Sequence, residues 1–449
     1  MNLTFANLFK VKEIRTKILI TLGLLLVYRI GFVIPLPGVN HDEVVKPLSD
    51  LGDWDRLFGM MNALTGGSLQ SATLFSLGVM PYISASIIFS LLTKAVPALE
   101  AISKEGASGQ RKINQYTRLA TVAICLVQSW FVIFGALSGE SRLLHDGVRD
   151  WFGLYCIVVM VSLTAGTMFV MWLGEQITEH GIGNGISLII MAGIVSNLAP
   201  ALGGYLGTGG MSAEVWQNLL FFLAAWGVAV VAVVYMTKAQ RRIPIQQAKH
   251  TRGRQVYGGQ RHFLPFKVNQ AGVMPIIFGS ALLVIPTMIG QAIGWNWLAD
   301  TFASHRGFWF VTSFTALIFF FSFFWTSMMF QPSEIAKNLQ EGGSFIPGIR
   351  PGKPTAEFLE GTMVRITLAG AAFLSLVAVF PSLLGVGGSG VDQMLIYFMS
   401  GTSILIVVGV ALDMVEKLNA MLVMRNYEGF LTEGGEGDKG AAGTGWGRR

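Results

Sequence analysis

Gly78-Val79-Met80-Pro81-Tyr82-Ile83-Ser84-Ala85-Ser86 and Gly272-Val273-Met274-Pro275-Ile276-Ile277-Phe278-Gly279-Ser280 match at six of nine positions, and each opens an expected span. The meaning of this repeat depends on how many membrane crossings separate its two copies. A crossing of the hydrocarbon layer takes about 20 apolar residues. Nine runs contain no Asp, Glu, Lys or Arg: Leu57–Thr93, Leu119–Gly139, Trp151–Gly174, Gly181–Ala213, Val215–Thr237, Val268–Ala299, Gly307–Ser333, Ile366–Val391 and Gln393–Leu412. A tenth, Ile18–Leu36, is interrupted only by Arg29. Ten spans form two groups of five, and the repeat opens the second span of each group. Five is odd, so the halves run in opposite directions. This is the pattern of an inverted repeat, whose functional pathway lies between the halves.

Composition agrees with an all-α polytopic membrane protein. Of 449 residues, 52% are hydrophobic and 13% charged, against about 25% charged in soluble domains. This excludes a soluble enzyme, a nucleic-acid-binding domain and a disordered chain. Two cysteines exclude a disulfide scaffold. The first run follows a basic start but leads into Ile34-Pro35-Leu36-Pro37-Gly38 rather than a small-residue cleavage site, so a retained helix is expected.

Lys and Arg fix the expected orientation. With both termini in the cytoplasm, 26 fall on the cytoplasmic side and five (Lys46, Arg56, Arg142, Arg149, Arg306) on the other, with Arg29 inside the first span. The soluble mass then lies in two long cytoplasmic loops, 238–267 and 331–365. Gln240–Pro265 is dense in Arg, Lys and Gln, beyond what orientation requires. It reads as a docking surface for anionic lipid, ribosomal RNA or an acidic protein. The Gly-rich residues 431–449 are expected to be a disordered tail.

Leu57–Thr93 is longer than one span and is broken at Thr65-Gly66-Gly67-Ser68. It reads either as a half-helix entering a polar cavity or as an interfacial helix, followed by a full span. Arg29 is expected to snorkel or to meet a backbone carbonyl.

Catalytic and metal patterns are missing. There is no HExxH, no credible GxSxG and no phosphate-binding loop. All six histidines lie outside the spans, Cys125 and Cys156 read as buried thiols, and the deepest carboxylate is Asp413 at the end of the last span. No enzyme activity, cofactor or metal is therefore expected. An ion-coupled transporter, the rival reading, would normally hold a carboxylate at mid-depth. Apolar residues remain where a pathway should lie, and apolar constrictions can gate a conduit for something large and chemically varied.

The chain resembles the SecY family of bacterial translocon subunits. The likeness rests on Ile34–Gly38, Leu77-Gly78-Val79-Met80-Pro81-Tyr82-Ile83-Ser84-Ala85-Ser86-Ile87-Ile88, Gly109–Arg118, Met171–Thr178 running to Gly181–Ser187, and Phe345-Ile346-Pro347-Gly348-Ile349-Arg350-Pro351-Gly352. It covers about residues 10–430. It implies ten helices in two inverted halves, 1–212 and 213–430, around an hourglass pore. The implied pore ring is Val79, Ile83, Ile190, Ile277 and Ile406. The implied plug is the half-helix at about 57–69, with Leu57, Phe58, Met61, Asn62, Leu64, Gly66, Gly67 and Leu69, which favours the cavity reading. Ser84, Gln128 and Phe278 are implied at a lateral gate. Lys249, Arg252, Arg254 and Arg350 are implied in docking the ribosome and the motor ATPase SecA. SecE and SecG are implied as companion subunits, in the bacterial inner membrane. Gln110, Ser333 and Lys337 depart from the family's commonest pattern.

Overall fold

The computed structural model describes residues 11–39, 73–136, 151–196, 198, 202–203, 206–207, 213–247, 250–252, 255–257, 261–303, 307–383 and 401–437. In chain order the helices are α1 (Lys12–Gly31), α2 (Met80–Ala95), α3 (Pro97–Lys104), α4 (Ala107–Ala136), α5 (Phe152–His180), α6 (Gly185–Ser196) and α7 (Ala213–Lys238). The strands β1 (Gln240–Gln247), β2 (His250–Arg252), β3 (Gln255–Tyr257) and β4 (Arg261–Lys267) follow. Then come α8 (Met274–Ile293), α9 (Asn296–Ala303), α10 (Phe308–Met329), α11 (Pro332–Glu341), β5 (Ser344–Phe345), α12 (Lys353–Leu383) and α13 (Gly401–Gly437).

Each of the ten expected spans coincides with a helix: α1, α2, α4 to α8, α10, α12 and α13. Among the described residues, α4, α5, α7, α10 and α12 are each long and apolar enough to cross a membrane alone. Met80–Thr93 with Pro97–Lys104 is a sixth candidate, although the pair is bent by 97°. The bend has a local cause: Val96 is extended before Pro97, and a residue preceding proline is pushed out of the helical region. The last helix extends to Gly437.

Two large apolar clusters organise the spans. One joins α4, α5, α10, α12 and α13 around Ile133, Leu163, Ile318 and Leu374. The other joins α1, α2, α5, α6, α8, α10 and α13. Close approach of α5 and α6 requires glycine: a Cβ on Gly185 would collide with the Gly174 carbonyl. The turn between them is closed by side chains. Asn184 Oδ1 accepts from the Ile186 and Ser187 amides at 3.1 and 3.4 Å, capping α6. Thr21 Oγ1 of α1 accepts from the Ile182 amide at 3.2 Å, tying the first helix to the same turn.

Where a basic loop was expected, there is a small sheet. β1 pairs antiparallel with β4, from Gln240↔Lys267 to Gln246↔Arg261. β5 joins the other edge of β1 through Gln246↔Phe345 and Gln247↔Ser344. Ile243, Ile245 and Phe266 are buried while Arg241, Arg242, Arg261 and His262 are exposed. The buried face meets Ile346, Leu359 and Met363, and Phe266 lies against Phe330 with ring centroids 4.9 Å apart. The two long loops thus form one body.

Candidate functional site

The five residues expected to form a ring come together. Val79, Ile83, Ile190, Ile277 and Ile406 are all buried in the second apolar cluster. They come from the head of α2, from α6, from α8 and from α13, so both groups of five spans contribute. Helical spacing deepens the closure. Val79, Ile83 and Ile87, Ile190 and Ile194, Ile277 and Ala281, and Ile406 and Val410 each stand four residues apart and share a helix face within that cluster.

A cavity of about 390 Å³ opens on the sheet side of this closure. Asn184, Ser187, Asn269 and Gln270 contribute to its polar lining, and Val273, Met274, Trp325 and Val410 to its apolar wall. Four of its lining residues form ion pairs: Lys267 Nζ lies 2.8 Å from Glu416 Oε2, and Lys417 Nζ lies 3.2 Å from Asp413 Oδ2. Ser187 precedes Ile190, Met274 precedes Ile277 and Val410 follows Ile406 by three or four residues. The cavity and the apolar cluster therefore adjoin along α6, α8 and α13.

The expected gate residues lie on neighbouring helices. α2 packs against α8, and α4 packs against α2. Phe278 of α8 is buried and set edge-on to Phe321 and Trp325 of α10, with centroids at 5.6 and 5.4 Å. Ser84 is half-buried, and its hydroxyl donates to the Met80 carbonyl at 3.1 Å within α2. Gln128 of α4 is half-buried, and its Oε1 has no hydrogen-bond partner among the described residues.

The docking residues are only partly in view. Arg252 ends β2, where it pairs with Gln255 of β3. Arg350 is exposed in the turn after β5, and its carbonyl accepts from Thr355 Oγ1 at 2.8 Å. Lys249, Arg254 and the plug stretch 57–69 lie outside the described residues.

Arg29 is exposed near the end of α1; its guanidinium donates to Ser196 Oγ at 3.0 Å and lies over the Phe32 ring at 5.7 Å. The ring face and the hydroxyl partner the charge, and the hydrogen bond fastens α1 to the end of α6. Two interactions went unread in the sequence. Arg118 of α4 and Glu175 of α5 form a two-point pair at 2.9 and 2.8 Å. Their opposite charges at the same ends of consecutive spans were a usable signal. The Lys267–Glu416 pair, across distant elements, offered none.

Comparison with known proteins follows the geometry. The family model described as SecY matches residues 73–415. The protein translocase subunit SecY of Streptomyces coelicolor is 43% identical over 440 residues, covering 95% of this chain and 99% of that protein. The same subunit of Mycobacterium tuberculosis is 40% identical over 447 residues, again covering 95% and 99%. A solved protein-conducting channel superposes with a TM-score of 0.62 at 18% identity, covering 93% of this chain and 97% of that one. Sec61 in the canine ribosome–channel complex of the endoplasmic reticulum gives 0.60 at 17%, with the same coverage. The family model covers well over half of the chain and the relatives match along nearly all of it, and the chain belongs to the SecY family.

Proposed function

We propose that this chain is a protein-conducting channel of the bacterial inner membrane, with both termini and the sheet in the cytoplasm. It passes unfolded secretory polypeptides and releases apolar segments sideways into lipid. One observation supports this reading: five apolar side chains from α2, α6, α8 and α13 are buried in one cluster that adjoins a cavity with a partly polar lining. Branched aliphatic groups hold no solute by hydrogen bonds, so they close without selecting a sequence. They re-form around whatever chain passes, which limits ion leakage.

The halves are 1–212 and 213–430, hinged away from the α2–α8 seam. Ser84, Gln128 and Phe278 border the lateral exit there. Segments leave through it because burying apolar area in lipid gains about 25 cal/mol per Å². Residues 57–69 supply the plug on the far side of the ring. The chain itself supplies no catalysis. The drive comes from partners, the ribosome or SecA, seated on Lys249, Arg252, Arg254 and Arg350, with SecE and SecG as companion subunits.

Site-specific photocrosslinking tests this reading. Photoreactive residues at Ile83 and at Ile277 are expected to capture a secretory chain stalled in transit, whereas one at Val231, exposed on α7, is not. An engaged chain that forms no adduct at either ring position would refute the constriction and return the fold to a solute transporter.

A further inference from the structure

α9 and the aromatic residues around it stand at the opposite end of α8 from the sheet, because α8 starts after β4 and leads into α9. Trp295, Trp297, Phe308 and Trp309 are 59–73% exposed. Four large aromatic groups in one connection are not expected to face water. They are also not isolated. Ile285, Ile289 and Ile293 recur every fourth residue on α8, are 46–64% exposed, and form one stripe running straight into Trp295. A stripe of that kind on a membrane-crossing helix faces lipid, so the aromatic group continues a lipid-facing surface.

Depth follows from α10. One end is fixed at the water boundary, where Phe330 packs on Phe266 of β4. From Phe308 to Met329 it has 22 residues, about 33 Å at 1.5 Å per residue. The hydrocarbon layer is about 30 Å thick. Phe308 and Trp309, ring-to-ring at 5.7 Å, therefore emerge at the opposite headgroup level. Indole suits that level, since its ring is apolar and its N–H finds a polar partner there.

We propose that Trp295, Trp297, Phe308 and Trp309, carried by α9 and its flanks, form an interfacial anchor seated in the lipid headgroup layer on the face opposite the sheet. The occupant of this surface is the headgroup–acyl boundary itself. The anchor clamps the outer ends of α8 and α10 to one depth, so this wall of the seam moves as a unit. The inference needs only the membrane-spanning fold, not the channel reading.

Spin-label depth measurement tests it. The full chain, purified with its bound subunits and carrying Cys125→Ser and Cys156→Ser, receives a label through Trp297→Cys and is reconstituted in phosphatidylethanolamine–phosphatidylglycerol vesicles. Val231→Cys on α7 calibrates the lipid interior and Arg261→Cys on β4 calibrates water. The expected result is a ratio of oxygen to nickel-chelate collisions between the two standards, within about one helical turn (about 5 Å) of the phosphates. A ratio equal to that of Arg261→Cys refutes the anchor, as does a label shielded from both relaxants, which means protein cover. The chain with all its native residues gives a second readout, should Trp297→Cys misfold. Lipids brominated near the headgroup are expected to quench it more than a folded triple variant with Phe at 295, 297 and 309. Equal quenching also refutes the anchor.

Discussion

Ile276 and Ile277 are adjacent in α8 and both buried, at 0% and 5% exposure, yet they belong to different clusters. Ile276 packs in the interior of the helical body. Ile277 packs in the second apolar cluster, the proposed constriction. Asparagine at either site forfeits about 1.5–3 kcal/mol of apolar burial and adds about 1–3 kcal/mol for an amide buried without partners. The sum is about 3–6 kcal/mol in each case, but the states that bear it differ. At 276 the penalty persists whether the constriction is closed or open. At 277 it exists only while the constriction is closed, since an open constriction is wet. With each 1.4 kcal/mol worth a factor of ten, Ile277→Asn should shift the closed-to-open ratio roughly 10²–10⁴-fold toward open. Ile276→Asn should lower the unfolding midpoint and leave that ratio alone. Halide efflux from proteoliposomes reads the first effect, and thermal unfolding in detergent reads the second. A folded Ile277→Asn chain that leaks no more than the parent, or an Ile276→Asn chain that leaks equally, would refute the assignment of the two residues to different roles.

Four further outcomes are expected. Reversing Lys267 to Glu should reduce partner-driven transport by up to about five-fold, the equivalent of about 1 kcal/mol for a half-exposed pair. Pairing it with Glu416→Lys should restore transport, and a double-mutant cycle on transport rate checks this. Gly185→Ala forces a Cβ against the Gly174 carbonyl and should cost about 1–3 kcal/mol, seen as a lower unfolding midpoint. Gly227→Ala in α7 has no atom within 4 Å of the added carbon and should leave the midpoint unchanged or raised. Neutralising Arg118 and Glu175 singly and together should give a coupling energy of about 0.5–1 kcal/mol in thermal unfolding, because their side chains are 48% and 29% exposed.

The membrane architecture was legible because apolar length is a strong signal and the 78–86 and 272–280 repeat fixes the relation of the halves. That repeat also carries Ile83 and Ile277 into the same cluster, as corresponding positions of an inverted repeat should be. The small sheet was not legible, since Arg and Gln dominate β1. Its signal lies in a single alternation, Ile243 and Ile245 between exposed neighbours, which is too short to separate from a loop. That Ser196 would meet Arg29 was not legible, because it comes from the far end of another span and only helix packing decides the pairing. The 97° turn at Val96 could have been read from Pro97, which breaks the helix wherever the chain is free to bend. Cavity-lining ion pairs such as Lys267–Glu416 span tertiary distances that no local pattern encodes.

The edge pairing of β5 with β1 has a temporal consequence. Gln246 meets Phe345, so the strand that completes the sheet is synthesised about 100 residues after the strand it joins, or some 5–20 s later at ordinary elongation rates. The β1–β4 hairpin closes locally and early. Its free edge then waits while α8, α9 and α10 emerge and thread the bilayer. Only a chain whose α8–α10 hairpin has returned to the correct side can deliver Ser344 and Phe345 to that edge. Sheet completion thus depends on correct insertion, and the third strand stays unpaired in any molecule whose second half has been threaded the wrong way.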